Sequence, residues 1–446
     1  MCKFEKYGNC DPETKDRVYC IFHKPNKTKE EAKEFYKKFL EKFRPRVEWT
    51  HMPGEEVEEF VFEEIVDCTG YIFPNIPEDI RFQFSHVTFE KMAIFNKATF
   101  EGDMYLSEVT FNDKVSFEEA NFKGELKFSF ANFKEELLIR RAVFEKANFR
   151  GAVFEKVDFS SAKFQKADFL GATFYKYANF RGATFKGDAI FRRVAFKSYA
   201  DFSNASFQGD ADFSEATFGN FAYFNRIPSG RKYKFEGKLS FSRAIFHKGL
   251  DIDLPGKYFR LPEAEREACR VQRLFYEKEG RKENADRMFV RERRANRKAK
   301  TREAKEKLNN IDKQKNRIAR FTERLKASIK LFTTCTGALI EWLLADLICE
   351  YGTNWKRPVI IWAVVVLLLF PALFMVGNGI RRVGDLGYVK CFGEYLYFSV
   401  VTATTLGYGD YQPSCGVYQL LAGLEAIFGT FMWVIFITIF ARKYMR

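Results

Sequence analysis

The sequence predicts a multidomain chain: a repeat array, a basic helical linker, and an α-helical membrane domain of two spans with a re-entrant loop between them. Three observations predict it. Phenylalanine, present 52 times against five Trp in 446 residues, recurs every five or six positions through the middle of the chain. Such recurrence marks an internal repeat that places one side chain in one slot. The formal charge of +14 is concentrated between Lys257 and Lys330, where 25 Lys/Arg against 12 Asp/Glu leave +13. Near the end, two apolar segments bracket Thr404-Thr405-Leu406-Gly407-Tyr408-Gly409-Asp410.

Residues 1–50 contain Cys2, Cys10, Cys20 and His23 in the spacing C-x7-C-x9-C-x2-H, which is similar to CCCH zinc fingers. Three thiolates and an imidazole form a closed tetrahedral set for structural zinc, able to fold a segment too short for its own core. Unrelated reduced cysteines are the alternative, because nine Cys scattered along the chain do not suggest a disulfide scaffold. Charged residues follow Met1 with no apolar leader, so the amino-terminal part is expected in the cytoplasm. Lys29 to Arg44 reads as a short amphipathic helix with Phe35, Phe39, Leu40 and Phe43 on one side. Residues 51–83 read as a lead-in or cap.

From Phe84 to Phe224 an apolar residue, nearly always Phe, occupies 27 positions at gaps of five or six, which exclude both the helix and the simple strand period. Two residues before each stands mostly Ala or Val, as in Ala142-Val143-Phe144 and Ala147-Asn148-Phe149. One large and one small inward side chain per five residues resembles the pentapeptide-repeat family. That resemblance implies a right-handed quadrilateral β-helix of about four repeats per coil, here spanning residues 84–255, with an interruption near Pro228 to Lys234. The Phe column reads as core. The array carries 26 basic and 22 acidic residues, so a DNA-mimicking acidic face is disfavoured.

Residues 256–332 form the basic linker. Pro262 opens a helix, Gly280 breaks it, and helical composition resumes from Glu283 to about Phe332. The stripe Leu308, Ile311, Ile318, Phe321, Leu325 and Ile329 is expected to pack on the repeat array, with a tetrameric coiled coil as the alternative. The basic excess suits anionic lipid headgroups or a solvated helical face, with nucleic acid the least favoured partner. Residues 333–355 are apolar but carry Glu341 and Asp346, so an interfacial helix is expected there.

Residues 356–446 form the pore domain. Residues 358–376 are uncharged and long enough to span, with Pro371 a candidate kink. A second span covers 416–441 and ends in Arg442 and Lys443. Phe392 to Thr404 followed by T-L-G-Y-G-D is similar to the pore helix and filter of two-transmembrane potassium channels. The resemblance implies that potassium ions are bound by the Thr405 hydroxyl and by the carbonyls of Thr405, Leu406, Gly407 and Tyr408, with Gly407 and Gly409 supplying the dihedrals. It also places Asp410 at the outer mouth and a gating hinge at Gly429. Leu406 stands where the family usually has Val, so non-selective conduction is the alternative. Glu425, costly in lipid, is expected to brace against the pore helix or cavity. Cys391 and Cys415 flank the loop and are expected to be free thiols, with a disulfide between them as the alternative.

The implied protein is a homotetrameric cation channel of the plasma membrane, both termini cytoplasmic, because both spans have their basic flanks on one side and a filter at membrane depth must be enclosed by neighbours. The repeat region would gate or localise it by meeting an unknown cytoplasmic ligand or protein. The alternative is a membrane-anchored scaffold or sensor with a non-selective or non-conducting pore. An enzyme is not expected: the chain has four His and no Gly-rich phosphate loop before a helix.

Overall fold

A computed structural model describes residues 2–444 except 53–54, 81, 227–229, 231, 312–316, 385–388 and 390. It divides into two compact units, Met1–Asn296 and Arg297–Arg446.

The first unit is a β-solenoid of about six turns over the repeats. Its short strands pair in parallel with those 20 to 22 residues further on, as in Val153↔Thr173, Lys163↔Thr184 and Thr173↔Ala195. Equivalent phenylalanines therefore lie one coil apart. Phe154, Phe174, Phe196 and Phe218 stack face to face at 4.8–4.9 Å, which is the interstrand spacing of a sheet. Phe159, Phe180, Phe202 and Phe224 form a second such column. Neighbouring columns meet edge to face, as Phe180 does with Phe169 and Phe191, the arrangement that ring quadrupoles favour. The small residue of each repeat fits beneath the ring: Ala172, Ala183 and Ala205 are fully buried.

Corners turn through left-handed residues, including Lys97, Glu119, Arg141 and Asn204, which lack glycine's freedom. At another corner successive coils approach so closely that a Cβ on Gly209 would lie 2.4 Å from the Gly187 carbonyl carbon. Ion pairs join coil to coil on the outside, among them Lys156–Glu136 and Arg193–Glu215. This pairing keeps the nearly balanced surface locally neutral.

Both ends are covered. The solenoid starts earlier than the Phe rhythm suggests. An antiparallel hairpin of Arg46–Met52 and Glu55–Phe62 pairs with Val87–Phe89, and Phe62 and Phe73 already stand in the columns over Phe89 and Phe100. Helix α1 (Lys29–Phe43), opened by a Thr28–Glu31 capping box, lays Phe35 and Phe39 on this coil. At the other end α2 (Pro262–Lys278) buries Ala268, Val271 and Phe275. Its polar residues meet the last strands' backbone: Gln272 accepts from the Ile252 amide and donates to the Leu250 carbonyl, and Glu267 accepts from the Phe241 amide. Of the interrupted segment, Pro228 lies outside the described residues. Lys234 is buried and donates to the Phe202 and Arg226 carbonyls, and burial pushes its amine down to about 7.

Helix α3 (Lys282–Asn309) starts in the first unit and ends in the second. Many of the linker's cations are paired, Arg287 and Arg291 with Asp253 and Arg273 with Glu292. Helix α4 (Arg317–Glu341) leaves Phe321, Leu325 and Ile329 exposed in the single chain, and α2 caps the solenoid. The side chain of Ile318 is outside the described residues.

Beyond α4 comes a π turn at Trp342–Leu347 and a tight turn at Glu350–Gly352. The acids that argued against a span here are engaged: Asp346 is buried against Arg297 at 3.0 Å, and Arg297 also donates to Tyr351, whose hydroxyl donates to Glu341. Helix α5 (Lys356–Val376), the short helix α6 (Phe392–Ala403) and helix α7 (Gly416–Tyr444) complete the chain. Both α5 and α7 are long and apolar enough to cross a membrane.

Candidate ion-conduction site

Helix α6 packs between α5 and α7 and delivers the chain into the loop at Thr404. Its last turn is closed by the Thr404 hydroxyl and amide on the Val400 carbonyl and by the Leu406 amide on the Val401 carbonyl. From there the backbone changes character. Thr405, Gly407 and Gly409 have φ of 58°, 55° and 80°, left-handed at every second residue. In an ordinary strand successive carbonyls point to opposite sides. Positive φ at every second residue is the alternation that lets successive carbonyls turn to one side, as a row of cation ligands requires.

Among the described residues no hydrogen bond is donated to the carbonyls of residues 405–409. Leu406 and Tyr408 are 58% and 67% exposed in the single chain. The Thr405 hydroxyl donates to the Thr404 carbonyl at 2.7 Å.

The loop is held from both sides. Toward one end, Ile380–Arg382 pairs antiparallel with Tyr411–Pro413, and the Val383 amide donates to the Asp410 carbonyl. Arg382, which in sequence is only a stray charge, donates to Glu394 of α6 and to the Tyr411 hydroxyl, itself a donor to Glu394. These three residues clamp the strand after the loop to the start of α6. Cys391 and Cys415 are exposed free thiols.

Toward the other end, α7 passes close beneath α6. A Cβ on Gly429 would stand 2.1 Å from the Ala403 carbonyl oxygen, so only glycine permits this approach. Helix α7 runs unbroken through that position.

Between the helices lies a buried polar chain that begins at Pro371. In the π turn Val365–Leu369 the Phe370 amide bonds five residues back, to Val365. The next donor in that register, toward Val366, would be residue 371, and proline has no N–H. The Val366 carbonyl instead accepts the hydroxyl of Ser399 on α6 at 2.6 Å. Ser399 is also hydrogen-bonded to Glu425 of α7, and both are fully buried. A serine has one proton, and a carbonyl can only accept. Both bonds are therefore satisfied together only when the Glu425 carboxyl carries a proton. Its second oxygen, buried without a partner among the described residues, is tolerable as a neutral carbonyl and costly as an ion.

In the first unit the side chains of Cys2, Cys10, Cys20 and His23 converge, their ligand atoms within 4.8 Å of one another.

Two membrane-length helices with a short helix between them, leading into a loop whose carbonyls accept no hydrogen bond among the described residues, fit an ion-channel domain, here joined to a β-solenoid. Comparison with known families agrees: residues 361–446 match the model described as ion channel, and residues 95–138, 139–184 and 180–227 match pentapeptide repeats (9 copies). The chain is thus a membrane protein in which an ion-channel domain is fused to a pentapeptide-repeat domain. No curated protein matches it.

Proposed function

We propose that four copies of this chain enclose one axis lined by residues 405–409 and conduct potassium passively across the plasma membrane, with both termini in the cytoplasm. The observation that carries this reading is the left-handed alternation at Thr405, Gly407 and Gly409 together with carbonyls that have no partner among the described residues. Polar backbone at membrane depth must find ligands, and the described residues of one chain do not supply them. Coordination by carbonyls makes Leu406 a tolerable replacement for valine. Asp410, next to the row, would raise the local cation concentration at the outer mouth.

Gating by the solenoid region, through a cytoplasmic ligand or protein, would reach the pore along α3 and the Arg297–Asp346 contact just before α5. Opening would move α7 where Gly429 touches α6. Linker cations left unpaired would lie near anionic headgroups.

The test is potassium flux, against sodium, from liposomes holding the purified chain, with Gly409→Ala as control. At φ 80° alanine is strained, so the variant is expected to lose flux by at least about tenfold while assembling normally. Equal flux from both proteins, or none from the native chain, would support a membrane-anchored scaffold instead. A monomer in detergent would exclude the pore.

A further inference from the structure

We propose that Cys2, Cys10, Cys20 and His23 bind one zinc ion, and that this ion clasps the amino-terminal cap onto the first coil of the solenoid. The His23 Nδ1 lies 3.8, 3.7 and 3.0 Å from the sulfurs of Cys2, Cys10 and Cys20. Around a tetrahedral zinc, with Zn–S about 2.3 Å and Zn–N about 2.0 Å, ligand atoms stand roughly 3.5–3.8 Å apart. For the nitrogen–sulfur pairs the value is about 3.5 Å, so two of the three separations lie within about 0.3 Å of it and the third needs a shift of about half an ångström.

Three features distinguish the cluster from cysteines gathered by chance. Cys2, Cys20 and His23 are buried, and the hydrogen-bond partners of the Nδ1 among the described residues are the three sulfurs. The Cys20 amide donates to the Cys2 sulfur at 3.3 Å, the kind of outer hydrogen bond that stabilises a metal-bound thiolate. Residues 2–23 contain only one short 3-10 turn, Glu5–Tyr7, and so need another source of order.

The cluster is also built into the solenoid's end. Phe22 stacks on Tyr71 at 4.5 Å and His23 meets the same ring edge-on. The Ile72 amide donates to the Phe22 carbonyl, and Asn9 donates to the Thr69 carbonyl. Fixing four side chains from positions 2 to 23 at one point therefore fixes the segment against residues 69–72.

The chemistry selects the ion. A set of three thiolates and one imidazole is soft and tetrahedral, which suits zinc and not magnesium or calcium. Binding releases the three thiol protons to solvent. Four protein ligands leave no open position, so the role is structural.

The full-length protein, purified in detergent under reducing conditions, should contain about one zinc per chain by elemental analysis. Cys20→Ser should lose most of it, and Cys335→Ser, at an exposed cysteine remote in sequence, should keep it. Because Cys20→Ser could misfold, the native chain supplies a second readout: counting alkylated thiols by mass spectrometry before and after a strong chelator. The expected gain is the three cysteines 2, 10 and 20, and cobalt exchanged into the site should show the visible bands of a tetrahedral thiolate complex. A metal-free native chain whose three thiols alkylate freely or are oxidised to a disulfide would overturn the proposal. So would zinc retained in Cys20→Ser.

Discussion

Glu425 shows how one residue's protonation can be read from hydrogen-bond valence. Ser399 has a single proton and two oxygens within reach, so both bonds are met only when the carboxyl donates. Glutamine keeps a donor and the same shape, whereas alanine leaves the hydroxyl oxygen unmet and a cavity between α6 and α7. Glu425→Gln is therefore expected to keep tetramer yield and flux within about twofold, and Glu425→Ala to cost about 1–3 kcal/mol of pore-domain stability. Size-exclusion in detergent and liposome flux check this; a glutamine variant as damaged as the alanine variant would mean that a charge is required there. That an acid lies in a span was legible in the sequence, and so was the need to turn it from lipid. Its partner was not, because the bond depends on a carbonyl freed by Pro371 in a different helix. Gly429 was legible as a special glycine, but its close approach to Ala403 depends on how two helices cross.

Among elements, the solenoid was the most legible because its period belongs to the backbone: one coil of 20 to 22 residues returns each Phe above the previous one. The first coil was hidden. Phe62 and Phe73 are eleven residues apart with no phenylalanine between them, and Val66 and Cys68 fill the intervening slots. The helical stripe through Phe321, Leu325 and Ile329 was legible as apolar, but a period does not name what covers it. Stacking makes the element cooperative, since each inner ring supports the coils on both sides. Phe180 lies between Phe159 and Phe202 at 5.0 and 4.8 Å, with Phe169 and Phe191 edge-on. Truncation to alanine should cost about 3–5 kcal/mol, seen as a lower urea midpoint for loss of β signal in the full chain. Tyr175→Ala, at an exposed outward position, should stay within about 0.5 kcal/mol. Equal effects would mean that the Phe columns do not carry the stability.

At the scale of the whole molecule, the solenoid either acts on the pore or merely accompanies it. The pore domain has its own core, with Phe370, Phe374, Tyr395 and Phe398 buried together, so it does not need the solenoid to pack. What would carry influence is the polar knot ahead of α5. Arg297 of α3 holds Asp346 and Tyr351, and Arg357 at the start of α5 donates to the Asp346 carbonyl and to Glu350. A pull on α3 would thus act on the base of the first span. A chain beginning at Lys282 retains α3 and this knot, and it also avoids exposing the face of α2 that the solenoid covers. It is expected to form tetramers that conduct with unchanged unitary conductance, while open probability changes by about fivefold or more, the low end of typical coupling between sites. Asp346→Asn in the full chain keeps the solenoid and weakens the knot, so it should shift open probability in the same direction. Single-channel recording in bilayers distinguishes the cases. If both variants open as often as the native chain, the solenoid serves to place the channel and does not gate it.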